Sequence, residues 1–225
     1  MRELFNFKDT KFSFSRPIGS YSKVCFLWSA IIRNRRIQLA RMNLRGRRYL
    51  NIGCGPNIKP GFVNIDYAWQ PGIDLCWDIT NGIPFPDGSM QGIFTEHCLE
   101  HIAFDKCRDV LRECRRVLKK GGLLRVVVPD AQLYVDLYAR FGAGGITKFP
   151  YAHLNSHETP MMAVNRVFNG YGHAFGYDEE TLRNILCDAG FVDIRREHFM
   201  CGRDKTMLID NEWRARESLY MEGSY

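Results

Sequence analysis

From residue 47 onwards, short apolar runs are punctuated by glycine, proline and aspartate, and they alternate with longer stretches of helical period. The runs at 49–52, 62–65, 73–79, 92–95 and 123–128 are nearly continuous, which predicts strands covered on both faces in a mostly parallel sheet. Between the last two, Cys107, Val110, Leu111, Cys114, Val117 and Leu118 share one helical face. That helix is expected to stop at Lys119-Lys120-Gly121-Gly122, where cations and then glycine suit a C-terminus. A second helix is predicted over 178–189, with Asp178 as N-cap, a stripe of Leu182, Ile185 and Leu186, and Gly190 just past the end. A strand over 192–199, a short helix around 211–218 and a last strand over 219–222 bring the strand count to seven.

Two segments break this rhythm. Residues 22–44 read as one amphipathic helix, with Val24, Leu27, Trp28, Ile31, Ile32, Leu39 and Met42 at helical spacing and Arg33, Arg36 and Arg41 among the polar positions. Such a helix either packs on the domain with a solvated basic face or lies on an anionic membrane surface or other polyanion. Residues 130–176 hold a predicted helix over 132–141, a Gly142-Ala143-Gly144-Gly145 break and a His-, Tyr- and Asn-rich stretch. Long irregular stretches inside compact domains are commonly functional, so this one is expected to be a lid on the substrate side. The chain therefore divides into a basic N-terminal arm, 1–46, and a domain, 47–225.

Charge sharpens that division. Of the net +6, residues 1–48 contribute +10 and the remainder −4. The eight cysteines contain no C-x-x-C pair, which points to reduced thiols and to no metal site. The polar N-terminus lacks a secretory apolar core, and the longest near-continuous apolar stretch, 24–32, is about half of what spans a bilayer. A cytoplasmic protein is expected, peripheral at the inner face of the membrane if the arm binds there.

The chemistry-bearing pattern begins at residues 49–57, Tyr-Leu-Asn-Ile-Gly-Cys-Gly-Pro-Asn. A strand ends there in a Gly-x-Gly turn, and the next strand ends on Asp66. Glycines let the backbone approach a ligand, and a carboxylate at the second strand end can accept from a ribose diol. A dinucleotide fingerprint would require a third glycine where Ile58 stands, so nicotinamide chemistry is disfavoured. Only ten residues separate Gly55 from Asp66, too few for a three-turn helix with its loops. Any helix here must be reduced to a turn.

In order, the chain then presents Asn64-Ile65-Asp66, Trp77-Asp78-Ile79, Ile83-Pro84-Phe85-Pro86-Asp87-Gly88, Leu99-Glu100-His101 and Arg116-Val117-Leu118-Lys119-Lys120-Gly121-Gly122. With this ordered set the sequence resembles the class I S-adenosylmethionine-dependent methyltransferases, strongly over 47–130 and moderately over 177–200. Small bacterial members often encoded beside glycosyltransferases are the most similar. The resemblance implies an α/β, Rossmann-like, doubly wound and mostly parallel seven-stranded sheet, with S-adenosylmethionine as cofactor. It implies that Gly53, Cys54 and Gly55 approach the methionine and ribose parts, that Asp66 accepts from the ribose, and that Asp78 and Ile79 meet the adenine. Glu96 and His97 would line the methionine side or the methyl-transfer face. Asn51 stands where an acid is usual and would give a neutral hydrogen bond to the cofactor amine. His101 reads as a scaffold histidine, and Asp78 as a turn former is the plain alternative.

A hydroxyl acceptor would benefit from a general base, and His173 is the favoured candidate, followed by His153, His157 and His97. The segment Thr95-Glu96-His97-Cys98 is unlike the motif of amino-methylating DNA enzymes, so DNA is not expected as a partner. Small-molecule, carbohydrate or glycolipid acceptors, with O-methylation in polysaccharide biosynthesis, are preferred. RNA bound by the basic arm is the alternative acceptor. A non-catalytic cofactor-binding scaffold is the alternative outside enzymes.

Overall fold

The computed structural model describes residues 22–41, 44, 46–152 and 157–225; the start of the arm and His153 lie outside these. Seven strands form one sheet: β1 (Tyr49–Ile52), β2 (Phe62–Asp66), β3 (Leu75–Cys76), β4 (Met90–Glu96), β5 (Leu118–Pro129), β6 (Val192–Glu197) and β7 (Ser218–Ser224). Their order is β3-β2-β1-β4-β5-β7-β6, with β7 antiparallel to both neighbours. The winding direction changes between β1 and β4, so the carboxyl ends of these strands open a crevice.

Six α-helices occur among the described residues: α1 (Ser22–Ile32), α2 (Ile37–Arg41), α3 (Phe104–Val117), α4 (Ala131–Phe141), α5 (Pro160–Asn169) and α6 (Glu179–Asp188); the remaining helical pieces are single 3-10 turns. The predicted stripe of α3 is buried at Cys107, Val110, Leu111, Cys114 and Val117. Asp178 caps α6 by accepting from the Thr181 amide at 2.8 Å, and Gly190 follows at φ 90°. α3 and α6 cover the main core, built on Leu50, Ile52, Val63, Ile65, Leu124 and Val126.

The other sheet face carries Phe62, Phe94, Val127 and Tyr220, and Phe199 and Ile209 of the β6–β7 connection pack on it. Arg125 fastens that connection. Fully buried, it makes a two-point ion pair with Asp210 at 2.8 and 2.6 Å, reaches Glu222 at 3.0 Å and donates to the carbonyls of His198 and Cys201.

Three expectations need correction. The helix over 22–44 is broken at Asn34 (φ 60°), and it packs through polar residues. Ser29 is buried and accepts from the Trp69 amide, and Arg33 donates to the Tyr67 carbonyl with its guanidinium 3.5 Å from the Tyr67 ring centre. Of the apolar stripe, Leu27, Trp28 and Ile31 are exposed, whereas Leu39 packs against the main core. The strand over 73–79 shrinks to two residues, because Asp78 caps a 3-10 turn at Ile79–Asn81. Gln38 bonds both sides of the Cys76 peptide there. Finally, the stretch over 130–176 holds more than its one predicted helix: α4 is joined by α5, and the two share a small core of Tyr134, Phe149, Ala152, Ala163 and Val167. Thr159-Pro160, an N-cap followed by proline at the first helical position, is the signal that marks α5.

Replacing Arg125 by Met would strand two buried carboxylates. Urea unfolding is expected to show a loss of about 3–5 kcal/mol; an unchanged midpoint would show that the network does not hold the connection.

Candidate functional site

A cavity of about 670 Å³ opens at the carboxyl ends of β1, β2 and β4, within the range of small-molecule sites. Its floor is the Gly-Cys-Gly turn. Gly53 (φ 66°) passes so close to Cys98 that a Cβ would lie 2.4 Å from Sγ, and Gly55 has φ 47°. No helix forms between β1 and β2. The turn is held by side chains: Asp66 accepts from the Gly55 amide and from the Ala68 amide, each at 2.8 Å. Burial raises the Asp66 carboxyl above its ordinary value, and the two amides and the Arg33 charge oppose that rise.

Asp78 and Ile79 line the cavity with Trp77 and Phe104, which makes this end a largely apolar slot. Asp78 also has the turn-forming role, since its Oδ1 accepts from the amide and the hydroxyl of Thr80 at 3.0 and 2.6 Å. At the other end stand Glu96, His97, His101, Tyr171 and Arg214. Glu96 accepts from the Asn211 amide at 2.8 Å, and burial raises its carboxyl. Cys54 lines the floor, and burial pushes its thiol up, so it has no thiolate character.

Two predicted residues are placed elsewhere. Asn51 does not line the cavity. Its amide donates to the Asn57 carbonyl and to Asn64 Oδ1, both at 2.9 Å, because the turn needs a donor where a helix would have supplied one. His173 lies behind the cavity wall, with Nδ1 against the Val167 carbonyl at 2.7 Å and Nε2 turned to Glu100 at 4.0 Å. It is not placed to take a proton from a group in the cavity. His157 is exposed and outside the cavity lining. His97 does line the cavity, in the left-handed region at φ 49°, with Nε2 against Ser218 Oγ at 2.9 Å.

Arg214 and Tyr171 escaped the sequence reading. Arg214 follows the stretch 198–213 that has little regular structure, and Tyr171 sits at φ 57° in a Gly-Tyr-Gly turn with no periodic signal. Glu100 is fully buried, and burial pushes its carboxyl up to about 8, while burial brings His101 down to about 4.

A mostly parallel sheet of this order, with a glycine turn, a strand-end carboxylate and a crevice at the switch point, is the arrangement of nucleoside-binding α/β domains. A family profile described as a methyltransferase domain matches residues 54–126. Two curated proteins from strains of Mycobacterium tuberculosis, each named a probable S-adenosylmethionine-dependent methyltransferase, are 26% identical over 173 residues, 69% of this chain and 51% of theirs. The chain thus spans about half the length of the curated relatives it matches. A Thermotoga maritima structure, titled a SAM-dependent methyltransferase and possible histamine N-methyltransferase, shares the fold with a TM-score of 0.50 at 15% identity, covering 84% of this chain and 93% of that one. Over residues 54–126 the chain matches a methyltransferase-domain family, and the curated relatives it resembles are named for S-adenosylmethionine as their cofactor.

The residues present fit that cofactor: the backbone of Gly53 and Gly55 lines the cavity, Asp66 presents a carboxylate, and the Trp77–Ile79 slot suits an adenine. In Asp66→Asn, the side-chain amide would confront the donor of either Gly55 or Ala68. Calorimetric titration with S-adenosylhomocysteine is expected to show affinity lowered by roughly tenfold or more, as the loss of a charge-assisted hydrogen bond implies. Unaltered affinity would remove Asp66 from the cofactor site.

Proposed function

We propose that this protein transfers the methyl group of S-adenosylmethionine to a hydroxyl of a small polyhydroxylated acceptor, a sugar or glycolipid. The observation that carries the reading is the two-ended cavity, an apolar slot beside Asp66 joined to a mouth lined by Glu96, His97, Tyr171 and Arg214. The cofactor supplies a methyl already activated on a sulfonium. The chain's task is to orient the acceptor, which can supply roughly 7–11 kcal/mol.

Gly53 and Gly55 admit the cofactor to the strand ends, and Asp66 accepts from its ribose. Glu96, at the mouth of the cavity with its carboxyl raised by burial, takes the acceptor's proton. His97, tethered to Ser218, shapes the acceptor side. Next to Arg214, Trp213 is exposed and stacks on Tyr151 with ring centres 5.3 Å apart. Such a platform suits the apolar face of a sugar ring.

Incubation with methyl-labelled S-adenosylmethionine and fractionated cell extract is expected to place label in carbohydrate or glycolipid. Label in RNA would replace the acceptor class, and S-adenosylhomocysteine binding without any transfer would favour the scaffold reading. With the acceptor in hand, Glu96→Gln is expected to lower turnover by about 10²–10⁴-fold with cofactor affinity little changed. Undiminished turnover would exclude Glu96 as the base.

The partner proposed for the arm is an anionic membrane surface. No helix among the described residues is long and apolar enough to cross a membrane. Leu27, Trp28 and Ile31 nevertheless present an exposed apolar face on a segment of net charge +10. Salt-sensitive sedimentation with anionic but not neutral vesicles is expected, reduced in a Trp28→Ser, Ile31→Ser variant. Equal sedimentation of that variant would exclude the helix face.

A further inference from the structure

Glu100 sits at the centre of three imidazoles. Its Oε1 lies 3.5 Å from His97 Nδ1, 3.9 Å from His101 Nε2 and 4.0 Å from His173 Nε2. The carboxylate is buried, and neither oxygen accepts a hydrogen bond from another residue. Buried polar atoms left without partners call for a specific explanation, such as an ion.

The tautomers sharpen the question. The Val167 carbonyl can only accept, so His173 Nδ1 carries the proton and Nε2 turns a lone pair to Glu100. Ser218 donates its single hydroxyl proton to the Arg214 carbonyl at 2.8 Å, so His97 Nε2 is the donor in that pair. His97 Nδ1 therefore also turns a lone pair to Glu100. The His101 ring packs edge-on against His173 with centres 5.0 Å apart. Lone pairs thus converge on a carboxylate from at least two sides. One proton on Glu100 could bridge to only one of those nitrogens, whereas a cation would serve them all.

We propose that Glu100, His101 and His173 bind a divalent transition-metal ion, with His97 at its edge. One ligand atom from each of the three lies within 4.8 Å of the other two. With metal–ligand bonds of about 2.0–2.2 Å, ligand atoms of a tetrahedral site stand about 3.4 Å apart, so closure needs shifts of up to roughly 0.7 Å per ligand atom. Two imidazoles and one carboxylate are the donors of open zinc sites and also suit cobalt, iron or nickel. The Val167 carbonyl fixes the His173 ring as an outer partner of a metal ligand does. His101 borders the cavity, which gives an ion its way in.

The proposal does not rest on methyl transfer. Full-length protein stripped with chelator and then given Co²⁺ alone should retain one ion per chain by elemental analysis. Its visible spectrum should show ligand-field bands without thiolate charge transfer, and its proton spectrum should show shifted imidazole N–H resonances. Glu100→Gln and His173→Gln should each lower Co²⁺ affinity by more than about tenfold, while S-adenosylhomocysteine still binds. Absence of retained metal, thiolate charge transfer marking a cysteine site, or undiminished binding in both variants would overturn the proposal. The wild-type spectra decide even where a variant fails to fold.

Discussion

The short step from β1 to β2 is the constraint on which the cofactor end depends. With no helix to absorb the backbone polar groups of residues 53–61, side chains must do so. Asn64 is central: Oδ1 accepts from Asn51 and from the Lys59 amide, and Nδ2 donates back to the Lys59 carbonyl. Asp74 accepts from the Asn64 amide and pairs with Arg47 at 2.8 Å. Asp66 completes the set from the ligand side. The turn is therefore a polar lattice rather than a helix terminus, and the electrostatic help a helix dipole gives an anion is absent here.

Much of this was legible in the chain. Continuous apolar runs gave β1 its observed bounds and β2 to within one residue, and the helical stripe of α3 is buried as its spacing requires. Period and punctuation are local signals, and these elements bury what their period says they bury. Gly53, Asp66 and Glu96 reach the cavity because each directly follows a predicted strand, and Asp78 and Ile79 reach it because β3 stops two residues earlier.

What the sequence hid is non-local. Asn51 carries no mark of its partners, which lie 6 and 13 residues on. His97, His101 and His173 look like unrelated histidines until the α5–α6 connection folds back, where the Ala174 and Phe175 amides both donate to the Glu100 carbonyl. The apolar period of α1 fits either burial or a surface partner; Ser29 and Arg33 find partners on the β2–β3 loop while Leu27, Trp28 and Ile31 face outward. Specific polar bonds at a domain edge fix the helix's orientation there.

The double bond from Gln38 to Cys76, joined by the Asn34 amide on the Cys76 carbonyl, carries a consequence for the whole sheet. β3 is the outermost strand on its side, and Gln38 occupies the donor and acceptor that another strand would seek. A side chain thus stands in for a neighbouring backbone. Trimming the arm away would bare that margin to other copies of the chain, and self-association through strand addition follows from an open sheet edge.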